Sequence, residues 1–255
     1  INSSYFSKVG DDELSNSMLK FMSENRVDTT HVQKVPSSTI GLYLISLVKG
    51  ERAFSYWRKN SAATLLGQNI NDVEHAVKKQ DMIYFSGITL AILDPSGRDN
   101  LFSCLKSARR AGKKIAFDPN LRPKLWSNKK EMCDIIMAGA KLSDIILPSF
   151  EDEKTWFSDA DPMSTLKRYR KVGAEIVVVK NAGEPVSFIS NQGAGTHPVE
   201  TIRTVVDSTA AGDSFNSEIL AGILRKIPLT EAIKNGANLA KKVIMGHGAL
   251  IKNDI

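Results

Sequence analysis

The chain has 255 residues, with 34 lysines and arginines against 28 aspartates and glutamates, a formal net charge of +6 and 42% hydrophobic residues. This composition is ordinary for a globular protein, and it excludes a disordered chain, a collagen-like repeat and a disulfide-rich mini-protein. No run approaches the ~18 apolar residues that a membrane span needs. Because the basic residues are scattered and not interleaved with aromatic residues, we expect neither a membrane nor a nucleic acid as partner.

The two cysteines, Cys104 and Cys133, lie in helix-like stretches, and neither belongs to a CxxC motif. Isolated cysteines of this kind indicate thiols that stay in the reduced state and pack in the interior, as is usual in a cytoplasmic protein. The first fourteen residues lack the basic-then-apolar order of a signal peptide. They also lack an initiator methionine and begin inside a strand-like phrase, so we expect the chain to be a fragment of a longer one.

Strand-like and helix-like segments alternate along most of the chain. Residues 11–26 are predicted as a helix, and residues 39–47 and 52–58 as a hairpin joined around Gly50. The further predicted strands are 82–86, 114–118, 144–147, 175–180 and 186–190, and the predicted helices are 95–111, 128–142, 151–158, 162–172, 212–226 and 229–246. This alternation predicts an α/β fold of βαβ units around a mostly parallel sheet, in one domain over residues 1–255.

Several sequence motifs that would indicate other classes of enzyme are incomplete in this chain. The stretch Gly193-Ala194-Gly195 begins like a dinucleotide fingerprint but has no third glycine and no following helix, so a turn is predicted there. No GxxxxGK[ST] loop occurs, which excludes a P-loop enzyme. The histidines are scattered, and Ser214 lacks the second glycine of a nucleophile elbow, which argues against a zinc site or a Ser-His triad.

Residues 207–216 (DSTAAGDSFN) carry the strongest chemical pattern. The small residues 209–212 let the backbone approach a ligand, and the helix that follows directs free N–H groups towards it, which suits a phosphoryl group. Asp213 is placed to accept a proton from an attacking hydroxyl. Alternatively, Asp213 only caps the helix, and the residues by themselves do not decide between these roles.

This stretch resembles the C-terminal signature of the ribokinase-like (PfkB) carbohydrate kinase family. Residues 117–126 (FDPNLRPKLW) resemble a motif of the 2-keto-3-deoxygluconate kinases within that family, and residues 55–58 (SYWR) resemble the lid motif of the same subgroup. The resemblance covers nearly the whole chain. It implies a three-layer α/β/α fold with a small β lid at about residues 38–60, and ATP and Mg²⁺ as cofactors.

The resemblance also implies the site residues. Asp213 corresponds to the general base, and the backbone N–H groups of Ala210, Ala211 and Gly212 correspond to an anion hole that also binds nucleotide. The implied substrate-binding residues are Tyr43, Tyr56, Trp57, Arg58, Arg122 and Asp213, the two arginines being suited to the substrate's carboxylate. The implied nucleotide-binding residues are Asn120, Ser149, Lys180, Asn181 and Gly183. The metal ligands stay open, with Asp152 or Glu153 able to hold Mg²⁺ through water.

The implied reaction is ATP-dependent phosphorylation of 2-keto-3-deoxygluconate to its 6-phosphate, a step of acid-sugar catabolism through the Entner–Doudoroff intermediates, by a homo-oligomer. The chain departs from the family at Glu218, where glycine or alanine is expected, and at Gly183, which is shifted by one position. The resemblance implies an opening strand and a sugar-binding segment that we would expect before the position of Ile1. Two alternatives therefore stay open: a kinase for a neutral sugar, and an inactive fragment that binds nucleotide or a partner.

Overall fold

A computed structural model describes residues 1–48, 51–200, 202 and 205–250, with the backbone alone described for 46–48 and 51–54. Gly50, the centre of the predicted hairpin turn, lies outside the described residues. The chain divides into two compact units, one made of Ile1–Ile83 with Ile88–Lys114 and the other of Tyr84–Gly87 with Ile115–Ile255. The single kinase domain over residues 1–255 stays a prediction.

In chain order the strands and helices are β1 (Ser3–Ser4), β2 (Ser7–Val9), α1 (Glu13–Glu24), β3 (Val27–Asp28), β4 (Val32–Lys34), β5 (Leu42–Val48), β6 (Glu51–Trp57), α2 (Ile70–Lys78), β7 (Met82–Ser86), α3 (Gly87–Ile92), α4 (Pro95–Arg110), β8 (Lys114–Asp118), α5 (Lys129–Lys141), β9 (Ile145–Ile146), α6 (Phe150–Phe157), α7 (Pro162–Lys171), β10 (Ile176–Val179), β11 (Val186–Ser190), β12 (Gly193–His197), α8 (Ala211–Leu224) and α9 (Leu229–Ile244). The predicted helices and strands are confirmed to within a few residues at their ends. The short strands β1 to β4 and the helices α2 and α3 were not predicted.

The first unit contains the short parallel pairs β1–β3 and β2–β4, the helices α1, α2 and α4, and the hairpin of β5 and β6. Helix α1 begins after Asp12, whose carboxylate accepts a hydrogen bond of 2.8 Å from the Ser15 N–H. Helix α4 begins in the same way after Asp94, with Pro95 in its first turn. These N-caps explain why both helices start where the sequence predicts.

The second unit is built around a sheet whose strands lie in the order β12-β11-β10-β9-β8-β7. Strands β8, β9 and β10 run parallel, and β11 and β12 continue the sheet antiparallel. Buried stretches such as 115–118 and 177–179 form the parallel centre. Continuous burial of this kind requires cover on both faces of the sheet, and each fully buried valine or isoleucine there contributes about 1.5–3 kcal/mol.

The turn predicted at residues 193–195 is wrong, because Gly193–His197 forms strand β12, paired over its full length with β11. One of the two glycines of β12 has a packing role. Gly195 lies opposite Phe188, and a Cβ at Gly195 would come within 2.9 Å of the Phe188 ring. Glycine in a strand often marks such a close approach, which the sequence pattern of alternating side chains cannot reveal.

No helix in the described part of the chain is long and apolar enough to cross a membrane. Helix α8 packs against α9 through a buried face on which Gly222 lies against Ala232 and Phe215 lies against Gly236. Glu218 lies outside this buried face and is partly exposed. The departure from the family at that position therefore leaves the helix interface intact.

Candidate active site

Polar residues of the second unit lie at strand ends and at one helix start. Asp118 ends β8, Ser149 follows β9, Lys180 follows β10, and Asp213 lies in the first turn of α8. Ser149 and Lys180 form an isolated parallel bridge, in which the Phe150 N–H donates to the Lys180 carbonyl at 2.8 Å. Carboxyl ends of parallel strands are the usual position of active sites in open α/β sheets.

A buried polar network links three of these elements. Asn216 donates through Nδ2 to Asp118 Oδ2 at 2.8 Å and to the Tyr84 hydroxyl at 3.2 Å. Its Oδ1 accepts a hydrogen bond of 2.9 Å from Lys180 Nζ, which also lies 3.3 Å from Asp118 Oδ2. The side chains of Lys180 and Asp118 are only 11% and 6% exposed. Charged groups that are buried this deeply are stable only when they have polar or oppositely charged partners, and the network supplies these partners.

The loop before α8 is held by Asp207. Its Oδ1 accepts hydrogen bonds from the backbone N–H and the hydroxyl of Thr209, and its Oδ2 accepts one from the Gly248 N–H at 3.1 Å. Ala210 takes the N-cap position with φ +61°, a left-handed conformation that is uncommon for alanine. Strain of this kind persists where surrounding contacts determine the backbone, and it is concentrated at functional sites.

The start of α8 presents backbone donors. The Ala211 N–H reaches the Ser208 carbonyl at 3.3 Å, and the Ser214 N–H donates to the Ala210 carbonyl at 2.9 Å. Among the described residues, the N–H groups of Ala210, Gly212 and Asp213 have no hydrogen-bond partner. Unpaired N–H groups at the positive end of a helix dipole form a ready site for an anion.

Asp213 is not the cap of α8, since that position belongs to Ala210. Solvent reaches Asp213, yet the surrounding protein partly desolvates its carboxyl, which raises its pKa, and the negative charge of Asp118 raises that pKa further. The positive charges of Lys180 and Arg122 act in the opposite direction. A carboxylate with a raised pKa is a stronger base than an ordinary aspartate, which suits proton abstraction more than capping.

The loop after β8 holds Asn120 and Arg122 on either side of Leu121. Leu121 is fully buried, and its carbonyl accepts a hydrogen bond of 2.8 Å from the Trp126 indole. Asn120 and Arg122 both have left-handed backbones, with φ +35° and +45°. Burial raises the pKa of Asp152, whereas the Arg122 guanidinium lowers it. Arg122 is therefore close enough to act electrostatically on both Asp152 and Asp213.

The turn from Lys180 to Gly183 takes a left-handed conformation one residue before the shifted glycine. The left-handed residue is Ala182, with φ +49°, and the Glu184 N–H closes the turn on the Asn181 carbonyl at 2.8 Å. Gly183 does not have a positive φ. Alanine thus occupies the position whose conformation favours glycine.

Of the two candidate metal ligands, Asp152 is partly exposed, whereas Glu153 is fully buried in a salt bridge with Arg168. Tyr169 also donates to the Glu153 carboxylate, at 3.0 Å. Burial raises the pKa of Glu153 to about 7, although Arg168 opposes this shift. Within the described residues, no group of three or more acidic, histidine or cysteine side chains could by itself hold a metal ion.

The predicted lid residues lie together in the first unit. Tyr43 pairs with Tyr56 across β5 and β6, with ring centroids 6.3 Å apart. Arg58 stacks over the Tyr56 ring at 4.4 Å, and Trp57 is 59% exposed. Stacking on tyrosine orients a guanidinium while leaving its edge free to bind a planar anion.

The sequence model of the pfkB family carbohydrate kinases matches residues 1–255. The chain belongs to the PfkB family. It is 38% identical over 253 residues to the 2-dehydro-3-deoxygluconokinase of Haemophilus influenzae, covering 97% of this chain and 80% of that protein. It is 34% identical over 257 residues to the 2-dehydro-3-deoxygluconokinase of Escherichia coli K12, covering 98% and 83%.

Solved structures confirm the predicted ribokinase-like α/β fold of this PfkB chain. A PfkB protein from Polaromonas sp. JS666 superposes with a TM-score of 0.85 at 26% identity, covering 96% of this chain and 81% of that one. A protein from E. coli described as ribokinase II, crystallised with ATP and Mg²⁺, superposes with a TM-score of 0.86 at 21% identity, covering 98% and 79%.

Sequence reasoning did not assign Asn216 or Tyr84 to this PfkB site, and it gave Asp118 no role there. Asp118 closes a buried strand, and a carboxylate at such a place is a recognisable signal. Asn216 follows Asp213 by three residues and therefore lies on the same side of α8. Tyr84 carries no local signal, because its role depends on Asn216, which lies 132 residues away in the chain.

Proposed function

We propose that this PfkB kinase transfers a phosphoryl group from ATP to 2-keto-3-deoxygluconate, which is another name for 2-dehydro-3-deoxygluconate. The observation that carries the reaction type is the start of α8. There, unpaired N–H groups of Gly212 and Asp213, the Asp213 carboxylate and the Lys180 ammonium lie within one small region. The substrate assignment is supported by relatives of that name at 34–38% identity.

The proposed chemistry needs one base and one anion site. Asp213 takes the proton of the sugar hydroxyl as that oxygen forms its bond to the γ-phosphorus, and the bond from this phosphorus to the bridging oxygen of ADP breaks. The charge on the phosphoryl oxygens is met by the N–H groups at the start of α8. Such preorganised donors are generally the largest single contribution to phosphoryl-transfer catalysis.

The residues of the second unit fit ATP and Mg²⁺. Lys180 and the unpaired N–H groups can bind the negatively charged oxygens of a triphosphate. The other predicted nucleotide contacts are Asn120, Ser149, Asn181 and Gly183. Asp152 is the carboxylate that we propose to hold Mg²⁺ through water, since a single carboxylate with several waters is usual for this ion. When bound, Mg²⁺ neutralises charge on the phosphates. The same fold has been crystallised with both ligands.

We expect the purified enzyme to phosphorylate 2-keto-3-deoxygluconate with a kcat/KM at least about 10²-fold above that for ribose or fructose, because neutral sugars have no carboxylate to form an ion pair with an arginine. The measurement is ADP release across this panel of sugars. A preference for a neutral sugar would contradict the substrate assignment. Nucleotide binding without turnover of any sugar would favour the alternative of a binding module.

We also infer a cytoplasmic location, because Cys104 and Cys133 are both free thiols, as is usual in a reducing compartment. A homo-oligomer assembled through the hairpin of β5 and β6 is a further part of the proposal. In the described part of the chain these strands form a sheet of their own, and Leu42, Leu44 and Trp57 on one face are 45%, 54% and 59% exposed. Clustered exposed apolar side chains favour association with another protein surface, here a second copy.

We expect the protein to sediment as a dimer or larger species at micromolar concentration, and Trp57→Glu to shift it to a monomer because a charge is then buried in the interface. The matched control is Phe21→Glu, which adds the same charge at a 45% exposed aromatic residue of α1. A wild-type protein that sediments as a monomer, or equal dissociation by both variants, would contradict assembly through the hairpin.

A further inference from the structure

The buried amide of Asn216 has a chemical role that the reaction described above does not assign. Asn216 is 1% exposed and makes three side-chain hydrogen bonds, to Lys180, Asp118 and Tyr84. Its oxygen accepts from the lysine, and its NH₂ group donates to the carboxylate and to the phenol oxygen. This pattern fixes the orientation of the amide, since a flipped amide would direct N–H groups at the ammonium.

Asn216 determines how Lys180 is shared between its neighbours. The lysine Nζ lies 2.9 Å from Asn216 Oδ1 and 3.3 Å from Asp118 Oδ2, whereas the amide itself reaches the same Asp118 oxygen at 2.8 Å. The amide thus takes the shorter bond to the carboxylate, and the lysine makes the longer one. Two of the three Nζ–H donors are engaged, and none of the described residues accepts the third.

Lys180 is held beside the anion site. A Cβ added at Gly212 would lie 3.8 Å from Lys180 Nζ, which places the ammonium next to the backbone whose N–H groups are unpaired. The positive charge of Lys180 lowers the pKa of Asp213, which is consistent with this position. Because Asn216 stands three residues after Asp213 on the same side of α8, one rigid helix carries the base, the backbone donors and the group that holds the lysine.

We propose that Asn216 is a positioning residue for phosphoryl transfer, holding the Lys180 ammonium beside the start of α8 so that its remaining N–H donates to an oxygen of the transferring phosphoryl group. The proposal rests on the proposed kinase function and deepens it. Without the amide, the existing 3.3 Å ion pair of Lys180 with Asp118 is expected to shorten, since a buried carboxylate and ammonium attract strongly. The lysine would then be withdrawn from the phosphate.

The test is Asn216→Leu, which keeps the volume of the side chain and removes its hydrogen bonds. We expect kcat to fall about 10- to 100-fold while KM for the sugar stays unchanged, because the lost interaction belongs to the transferring group. Lys180→Met should lower kcat by at least as much, and the double variant should be no worse than Lys180→Met. The matched control is Thr165→Val, which removes the hydrogen bond of a fully buried side chain to Asp159 and should leave kcat at the wild-type value.

A second measurement does not depend on sugar turnover. Aluminium fluoride with ADP mimics a phosphoryl group in transfer, so Asn216→Leu should weaken binding of ADP with aluminium fluoride about 10-fold or more relative to ADP alone. Wild-type kcat in Asn216→Leu, or kcat losses that multiply in the double variant, would overturn the proposal. If the leucine variant does not fold, Asn216→Ala replaces it in the same comparisons. A wild-type protein that turns over no sugar overturns the proposed kinase function, whereas the aluminium fluoride comparison still decides the role of Asn216.

Discussion

Asp213→Asn is expected to lower kcat by about 10²–10⁴-fold while folding and ADP binding survive. A sugar hydroxyl is a weak nucleophile near neutral pH, and general-base assistance contributes a factor of this order. Asparagine keeps the shape of the side chain and removes the basic oxygen. The measurement is steady-state kinetics of both forms, with ADP affinity determined by calorimetry.

The control is Asp161→Asn, because Asp161 is a carboxylate at a helix start that does cap, accepting from the Ser164 N–H at 2.7 Å. Asparagine caps about as well as aspartate, so this variant should keep wild-type kcat and nearly wild-type stability. Near-normal turnover by Asp213→Asn would contradict the base role and return Asp213 to a structural one.

The raised pKa of Asp213 also predicts how the stability of the Asp213→Asn variant depends on pH. Since its pKa is raised in the folded state, the ionised carboxylate is disfavoured by folding, and this cost is present at neutral pH and absent once the pH falls below the ordinary aspartate range. Asp213→Asn should therefore raise the melting temperature at pH 7, and the gain should shrink on acidification. The acidic limb of the wild-type kcat/KM profile should lie above the pH at which an ordinary aspartate titrates.

Arg58→Ala is the second large effect that we expect. If the guanidinium binds the substrate's carboxylate, its loss should remove about 2–5 kcal/mol of transition-state stabilisation and lower kcat/KM for 2-keto-3-deoxygluconate accordingly. Most of this change should be an increase in KM for the sugar, while KM for ATP hardly changes. The reason lies in the geometry of Arg58, whose stacking on Tyr56 presents a planar group that can bind a carboxylate through two hydrogen bonds.

Two further variants sharpen this test. Lys59→Ala removes the exposed cation next in the chain and should leave kcat/KM unchanged. Arg58→Lys keeps the charge but not the planar donor pair, so it should recover only part of the loss. Arg58→Ala should also erase the preference for the acid over a neutral sugar. Equal kcat/KM in Arg58→Ala and wild type would show that this arginine does not bind the substrate.

Much of the architecture could be predicted from the sequence because it is encoded locally. Strands 82–86 and 114–118 and strand 186–190 were predicted with their observed ends, since each is a short apolar or β-branched run bounded by polar residues. Strand β12 could not be predicted, because a glycine-rich segment has no strand pattern of its own. It becomes a strand only because β11 offers backbone partners and Phe188 needs the space above Gly195.

The sequence by itself located the reactive stretch, and its chemistry was predicted through a family resemblance. Small residues before a helix and an aspartate in its first turn left a phosphoryl-transfer site and a helix cap both open, and the resemblance to the PfkB motifs then favoured phosphoryl transfer to an acidic substrate. These features are local, because a helix N-terminus directs its N–H groups outwards whatever surrounds it. The left-handed backbone at Ala182 shows the limit of such reasoning, since the motif predicted glycine and the fold imposed the conformation on alanine.

Only the tertiary structure decided how the charges of the site are arranged. Asn216 meets Asp118 across 98 residues of chain and Lys180 across 36, and Lys180 meets Asp118 across 62. No periodicity or spacing encodes such contacts. They arise because parallel strands bring their carboxyl ends to one edge of the sheet, where buried polar groups must find partners to offset the loss of water. That requirement, and not the local sequence, places the Lys180 ammonium beside the start of α8.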